Sequence, residues 1–291
     1  MRKGIRSLNR SRRVNRSRAG TVVLFLVMLV FACFMAFPLA LIISNSFKPL
    51  DELWVFPPKL IPQSPTMSNF RDMFTVMSGS WVPFLRYIFN TVFITAAGTA
   101  GHIILASMCA YPLAKKQFPG RNLIFNVIVL ALMFNGTVTA IPNYITMAAI
   151  GWIDTHLSLI VPAFAIPLGL YLMKQFMEQM IPDTILEAAR IDGAGEARIF
   201  FRIVMPMVRP AWLTLIIFAF QGLWNTGASP YVFREELKTL NYALSQVLAG
   251  GVSRSGAAAA GSVLAMIVPI VMFVTTQSNI VETMATSGMK E

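Results

Sequence analysis

The chain has 291 residues, of which 56% are hydrophobic and only 13% charged, with a net charge of +11. Soluble domains carry about twice that charged fraction, so a soluble globular protein is excluded. Long runs free of Asp, Glu, Lys and Arg point instead to membrane-spanning helices, each needing about 20 residues.

Residues 1–18 form a tail with eight Lys and Arg and no aromatic side chain. Without interleaved aromatics or a following soluble domain, it predicts no nucleic-acid partner. Anionic lipid headgroups and topology account for it. The first apolar run, Gly20 to Ser44, is longer than the roughly 7–15-residue core of a signal peptide, so it is read as an uncleaved anchor. Five further runs follow: Tyr87–Tyr111, Leu123–Met147, Leu157–Met173, Ala211–Trp224 and Ala257–Thr276. The fifth is short, so its helix is expected to extend into flanking polar residues. The reading is an all-α integral membrane protein of six transmembrane helices, one domain over 19–291. Segment 45–86, rich in Pro and aromatics, is expected to cap the bundle. Segment 151–156 is short, and 225–256 is long and Gly/Ser-rich near its end.

Basic residues set the orientation, because they accumulate on the cytoplasmic side. With six spans, seventeen of the 24 Lys and Arg fall on one side, with both termini, and seven on the other. Both termini are therefore expected in the cytoplasm. Cys33 and Cys109 lie inside apolar runs and read as inert packing.

The most informative stretch lies between spans four and five, about residues 182–208, within IPDTILEAARIDGAGEARIFFRIVMPMVRP (181–210). Thr184 and Glu187 have capping-box spacing, with Asp183 as a competing cap. Asp192-Gly193 is a helix-stop signal, since glycine accepts a left-handed backbone. A second helix is predicted from Glu196 to Val204, ending before Pro206. Ala188, Ala189 and Ala194 are expected to form a small, flat surface that another protein can approach closely. An amphipathic hairpin without a partner is the plainer alternative.

Glu187-Ala188-Ala189, then Asp192-Gly193-Ala194, then Phe200, Ile203, Pro206 and Pro210 resemble the EAA loop of bacterial ABC-importer permeases. Met205 stands where that family usually has Leu. From span one onward the chain is similar to the shorter permease subunit of carbohydrate importers, the maltose MalG-like type. Phe118-Pro119-Gly120-Arg121 resembles the family's turn after span two. Gln277 to Glu291 resembles its C-terminal tail. The resemblance implies a second homologous permease, two ABC ATPases on the cytoplasmic face and an extracytoplasmic sugar-binding protein, all in a bacterial cytoplasmic (inner) membrane. It implies that the loop is a coupling helix docked on one ATPase, with Glu187 meeting a basic or polar group and Gly193 allowing the turn. It implies that Gly288, Met289 and Lys290 reach the ATPases, and that 225–256 touches the binding protein. ATP and Mg2+ would be bound by the partner subunits, with no cofactor or metal in this chain.

The chain has no G-x-x-x-x-G-K-[ST], and no Lys directly follows a Gly, so the phosphate-cradling loop is absent from the sequence. No paired carboxylates, H-E-x-x-H or G-x-S-x-G support an enzyme. Polar residues within or beside the spans are Asn90, His102, Asn135, Asn143, Gln221 and Asn225. Interhelical hydrogen bonds explain many such groups. Asn135 and Gln221 are the candidates for a solute path, since neutral side chains suit sugar hydroxyls. An ion-coupled carrier would carry ionisable residues inside its spans, and these windows hold no Asp, Glu, Lys or Arg, with His102 alone able to titrate near neutral pH. A purely structural membrane protein and an importer of another solute, such as an amino acid or peptide, remain as alternatives.

Overall fold

The computed structural model describes residues 18–287, apart from Ser80 and Asn135. Among the described residues every regular element is a helix. In chain order they are α1 (Arg18–Ser46), α2 (Leu50–Leu53), α3 (Ser68–Ser78), α4 (Phe84–Lys115), α5 (Arg121–Ala131), α6 (Gly136–Ala149), α7 (Leu157–Phe164) and α8 (Pro167–Met180). Then come α9 (Asp183–Ile191), α10 (Glu196–Ile199), a π-helical turn (Phe200–Val204), α11 (Met205–Met207), α12 (Arg209–Trp224), α13 (Leu240–Leu248) and α14 (Ser255–Ser287).

Four stretches are long and apolar enough to cross a membrane: Ala19–Ser46, Phe84–Lys115, Leu157–Met180 and Val252–Thr276. Two bent pairs pass the same test of length and composition, bringing the number to six when each pair counts as one span. The third apolar run is one of them, with α5 and α6 meeting at 108°. Leu132, Met133 and Phe134 each donate to the carbonyl three residues back, which tightens and ends α5. The Asn-Gly pair that follows is a turn signal. The fifth span is the other bent pair. Its 16-residue α12 covers about 24 Å, short of the roughly 30 Å core. The helix gains two residues before Ala211, then bends 77° into Glu196–Met207 instead of running on straight.

The bundle is organised around α4, which packs on α7, α8 and α12, while α14 packs on α1, α3, α12 and α13. Small residues make α4 a close-packing surface. A Cβ on Gly98 would sit 2.5 Å from Leu223 Cδ1, and one on Gly101 would sit 2.1 Å from Phe164 Cε1. At one end a core forms from Ala106, Ala110, Tyr111, Met173, Met177, Leu186, Ile199, Phe200, Val204 and their neighbours. At the opposite end Met73, Met77, Val82 and Tyr87 pack with Leu244, Val247 and Ala258. The expected cap is therefore built by α3. The loop aromatics point outward instead, with Trp54 61%, Phe56 91% and Trp81 74% exposed.

Candidate functional site

The loop between α8 and α12 is fixed to the bundle by burial, one glycine turn and a cluster of ion pairs. α9 is strongly two-faced. Leu186 and Ala189 are buried against Met177, Ile181, Ile199 and Phe200. Ile185, Glu187, Ala188 and Ile191 face outward, Ile191 at 87% exposure. The three alanines therefore do not share one surface: Ala188 is exposed, Ala189 is in the core and Ala194 is half-buried against it. The helical period turns about 100° per residue, which carries Ala189 from the exposed face of Glu187 and Ala188 round to the core.

Pro182 occupies the N-cap of α9, and no side chain caps it. The capping box expected from Thr184 and Glu187 does not form. The helix starts two residues earlier than that motif requires, and Asp183 pairs instead with Lys115 at 2.9 Å. The far end follows the glycine signal. Gly193 has φ +77°. Its N–H donates to the Arg190 carbonyl at 3.0 Å, and the Ala194 N–H donates to the Ala189 carbonyl at 3.0 Å. Those two bonds are the Schellman pattern, which satisfies the last carbonyls of a helix and requires a left-handed residue.

Glu196, at the start of α10, ties three elements together. Its carboxylate accepts from Lys116, from Arg190 Nε at 3.1 Å and from the Tyr111 hydroxyl at 3.1 Å. Donation from Lys116 outweighs the cost of desolvation and holds this carboxyl below the usual glutamate range. Nearby, Arg121 donates to the Leu113 carbonyl at 2.7 Å and to Glu178 at 3.1 Å, closing the turn after α4. Lys115, Lys116 and Tyr111 thus fasten the loop to the end of α4, and Arg121 fastens α8 to the same end. Sequence reasoning missed Glu196 in this role. Its first-turn acidity is legible, but its partners at Tyr111 and Lys116 lie 85 and 80 residues away.

Pro206 does not end the second helix, as expected from sequence; the coil runs on to Met207. In a regular α-helix its ring would clash with the Arg202 carbonyl. The π turn over Phe200–Val204 opens the coil just ahead of it, with the Met205 N–H reaching back five residues to the Phe200 carbonyl. Phe200 packs on Tyr111 with ring centroids 5.7 Å apart.

Of the solute-path candidates, Asn135 lies outside the described residues. Gln221 is exposed on α12. It is next to Phe220, which lines an apolar cleft of about 400 Å³ between α4, α12 and α14. The tail residues Gly288, Met289 and Lys290 also lie outside the described residues. His102 and Asn90 take packing and bracing roles. His102 Nδ1 lies 3.3 Å from the Phe164 carbonyl. The Asn90 amide donates to the Glu236 and Lys238 carbonyls at 2.7 and 2.9 Å.

That second anchor holds the segment after α12 at the opposite end. Asp154, at φ +61°, reinforces it. Its carboxylate accepts from the Phe233 and Arg234 N–H groups at 3.0 and 2.8 Å, and from Arg234 Nε at 2.6 Å. Arg234 also donates to the Asp154 carbonyl at 2.7 Å. Desolvation raises this carboxyl, but the donors from Arg234 and Phe233 prevail and leave it below the usual range.

The family of binding-protein-dependent transport system inner membrane components matches residues 102–284, from the middle of α4 through α14. The chain belongs to that family. Among its relatives, the protein LplC of Bacillus subtilis is 34% identical over 188 residues, covering 65% of this chain and 61% of LplC, under two thirds of its length. The arabinooligosaccharides transport system permease protein AraQ of Halalkalibacterium halodurans is 28% identical over 265 residues, covering 89% of this chain and 93% of AraQ. The solved structure of a bacterial ABC transporter involved in the import of the acidic polysaccharide alginate shares the fold. Its TM-score is 0.77 at 23% identity, over 90% of this chain and 98% of that one. The α9–α10 loop lies wholly inside the family match.

Proposed function

We propose that the chain is one of two transmembrane subunits of an ATP-driven importer, taking up a carbohydrate, preferably an oligosaccharide, delivered by an extracytoplasmic binding protein. The observation that carries this reading is α9. Its inner face is locked to α4, while Glu187, Ala188 and Ile191 project outward with no side-chain partner among the described residues. Such a helix can transmit force from a docked protein to the bundle through the Lys115–Asp183 and Lys116–Glu196 pairs. The docked protein is an ABC ATPase, two per importer, and it binds the ATP and Mg2+. Glu187 meets a basic or polar group in its groove, and the tail around Met289 adds a second contact. Both termini and the loop face the cytoplasm of a bacterial inner membrane, in line with the excess of Lys and Arg at that end. The carbohydrate assignment is supported by the likeness to AraQ over nearly its whole length.

The test is uptake. The co-purified complex in proteoliposomes with ATP inside, supplied with its binding protein, is offered labelled arabinotriose, an alginate oligosaccharide and glutamine. Accumulation of either sugar above the glutamine background supports the reading. Uptake of glutamine alone would replace carbohydrate by another solute class.

A further inference from the structure

The segment Glu196–Met207 and the start of α12 have a second face that contact with the bundle does not use. Ile199, Phe200, Val204 and Val208 are buried, while Ala197, Arg198, Phe201, Arg202, Pro206 and Arg209 are exposed. Steps of four and five residues relate Ala197, Phe201 and Pro206, and steps of four relate Arg198, Arg202 and Pro206, as expected for a helix widened by a π turn, with Arg209 continuing the stripe at the start of α12. The stripe holds three arginines, one aromatic ring at 61% exposure and no acid.

The three arginines also stand apart electrostatically. At this end of the bundle Lys115, Lys116, Arg121, Lys174 and Arg190 each have a carboxylate partner among Glu178, Asp183 and Glu196. Arg198, Arg202 and Arg209 form no side-chain hydrogen bond or ion pair among the described residues. Their charge is left for something outside the chain.

Geometry decides between a membrane and a soluble partner. The 77° bend lays Glu196–Met207 nearly across α12. Nine residues of coil separate Arg198 from Met207, about 14 Å of axis, and Arg209 opens α12 just beyond the bend. Inclined at 77° to a span along the membrane normal, that axis changes depth by only about 3 Å, within a headgroup layer of about 5–7 Å. A stripe that begins at the foot of a membrane span and stays at its level faces phosphates. The mix of guanidinium groups and an exposed ring is that of an interfacial helix. Arginine also binds phosphate in a bidentate fork.

We propose that Arg198, Arg202 and Arg209, with Phe201 between them, form a binding stripe for anionic phospholipid headgroups, which fixes the angle of the segment linking α9 to span five. The inference goes beyond the importer reading and needs only that this end of the bundle meets a leaflet.

The experiment uses the full chain with its co-purifying subunits in nanodiscs of phosphatidylcholine. A fluorophore is placed at Ala197→Cys in a Cys33→Ala, Cys109→Ala background. Chain-brominated phosphatidylglycerol or chain-brominated phosphatidylcholine is then titrated in. Each basic residue near an anionic surface is worth about fivefold in attraction. The expected result is half-quenching at a phosphatidylglycerol fraction at least tenfold below that for phosphatidylcholine. Arg198→Gln, Arg202→Gln, Arg209→Gln together should abolish that preference while leaving co-purification unchanged, and the triple lysine variant should keep most of it. Equal quenching by the two lipids would overturn the proposal. So would a triple glutamine variant that loses a co-purifying protein and keeps its lipid preference, because the stripe would then be a protein interface.

Discussion

At the scale of single residues, Gly193 and Asp154 both hold a left-handed backbone, but for different ends. Gly193 reverses the chain between α9 and α10, and open space surrounds the position where a Cβ would sit. The cost of substitution is therefore conformational, about 1–2 kcal/mol for a left-handed residue with a side chain, and larger for a β-branched one. Gly193→Val is expected to loosen the loop, seen as faster proteolytic cleavage at 190–196, whereas Gly195→Ala, at φ −68°, should leave cleavage unchanged. Asp154 is a charge clamp. Its folded carboxyl is held below the usual range, so its contribution is fully present above the unfolded value and is lost as pH falls through the folded one. Amide exchange at Phe233 and Arg234 should accelerate on acidification through that window. Asp154→Asn, which tolerates the same backbone and keeps an acceptor, should reproduce the acid behaviour at neutral pH. Because Arg234 is 62% exposed in its side chain, solvent screening limits the loss to about 1 kcal/mol.

At the scale of elements, the joint between α4 and the α7–α8 pair rests on a contact no local pattern signals. A Cβ on Gly169 would lie 2.0 Å from His102 Nε2. Gly169→Ala is expected to destabilise the purified protein by about 1–3 kcal/mol through overpacking, read as a lower unfolding temperature. Adding His102→Ala should recover most of it, and no recovery would show that the two residues do not share that contact. The same distinction explains what the sequence revealed. Apolar runs located the helices of every span, and Asp192-Gly193 located the turn, because length, hydropathy and glycine chemistry are local. The break between α5 and α6 escaped notice because continuous hydropathy hides a bend. The hub at Glu196 escaped because its meaning depends on Tyr111 and Lys116, which only the packing of α4 brings near. Glu187 and Ala188 were legible as a motif, but only the fold shows that Ala189 beside them points into the core.

At the scale of the whole molecule, the exposed apolar faces fit a subunit surrounded by lipid and other chains. α1 is exposed along most of its length and packs chiefly on α14. The proposed orientation puts α9 in the cytoplasm and the 3-10 turn Val252–Arg254 outside. In intact cells a membrane-impermeant maleimide should therefore label Ser253→Cys and spare Ala188→Cys, both in a Cys33→Ala, Cys109→Ala background. The reverse pattern would invert the topology.

The most direct test of the central claim, that α9 is the handle through which an ATPase drives this bundle, is gentle-detergent purification of the tagged chain from its native membrane with mass spectrometry of what accompanies it. The account predicts a P-loop ATPase and a second permease, and it predicts that Glu187→Lys with Gly193→Val loses the ATPase while keeping the permease. A chain that emerges alone or as a homo-oligomer, or a variant that retains its ATPase in full, would contradict it.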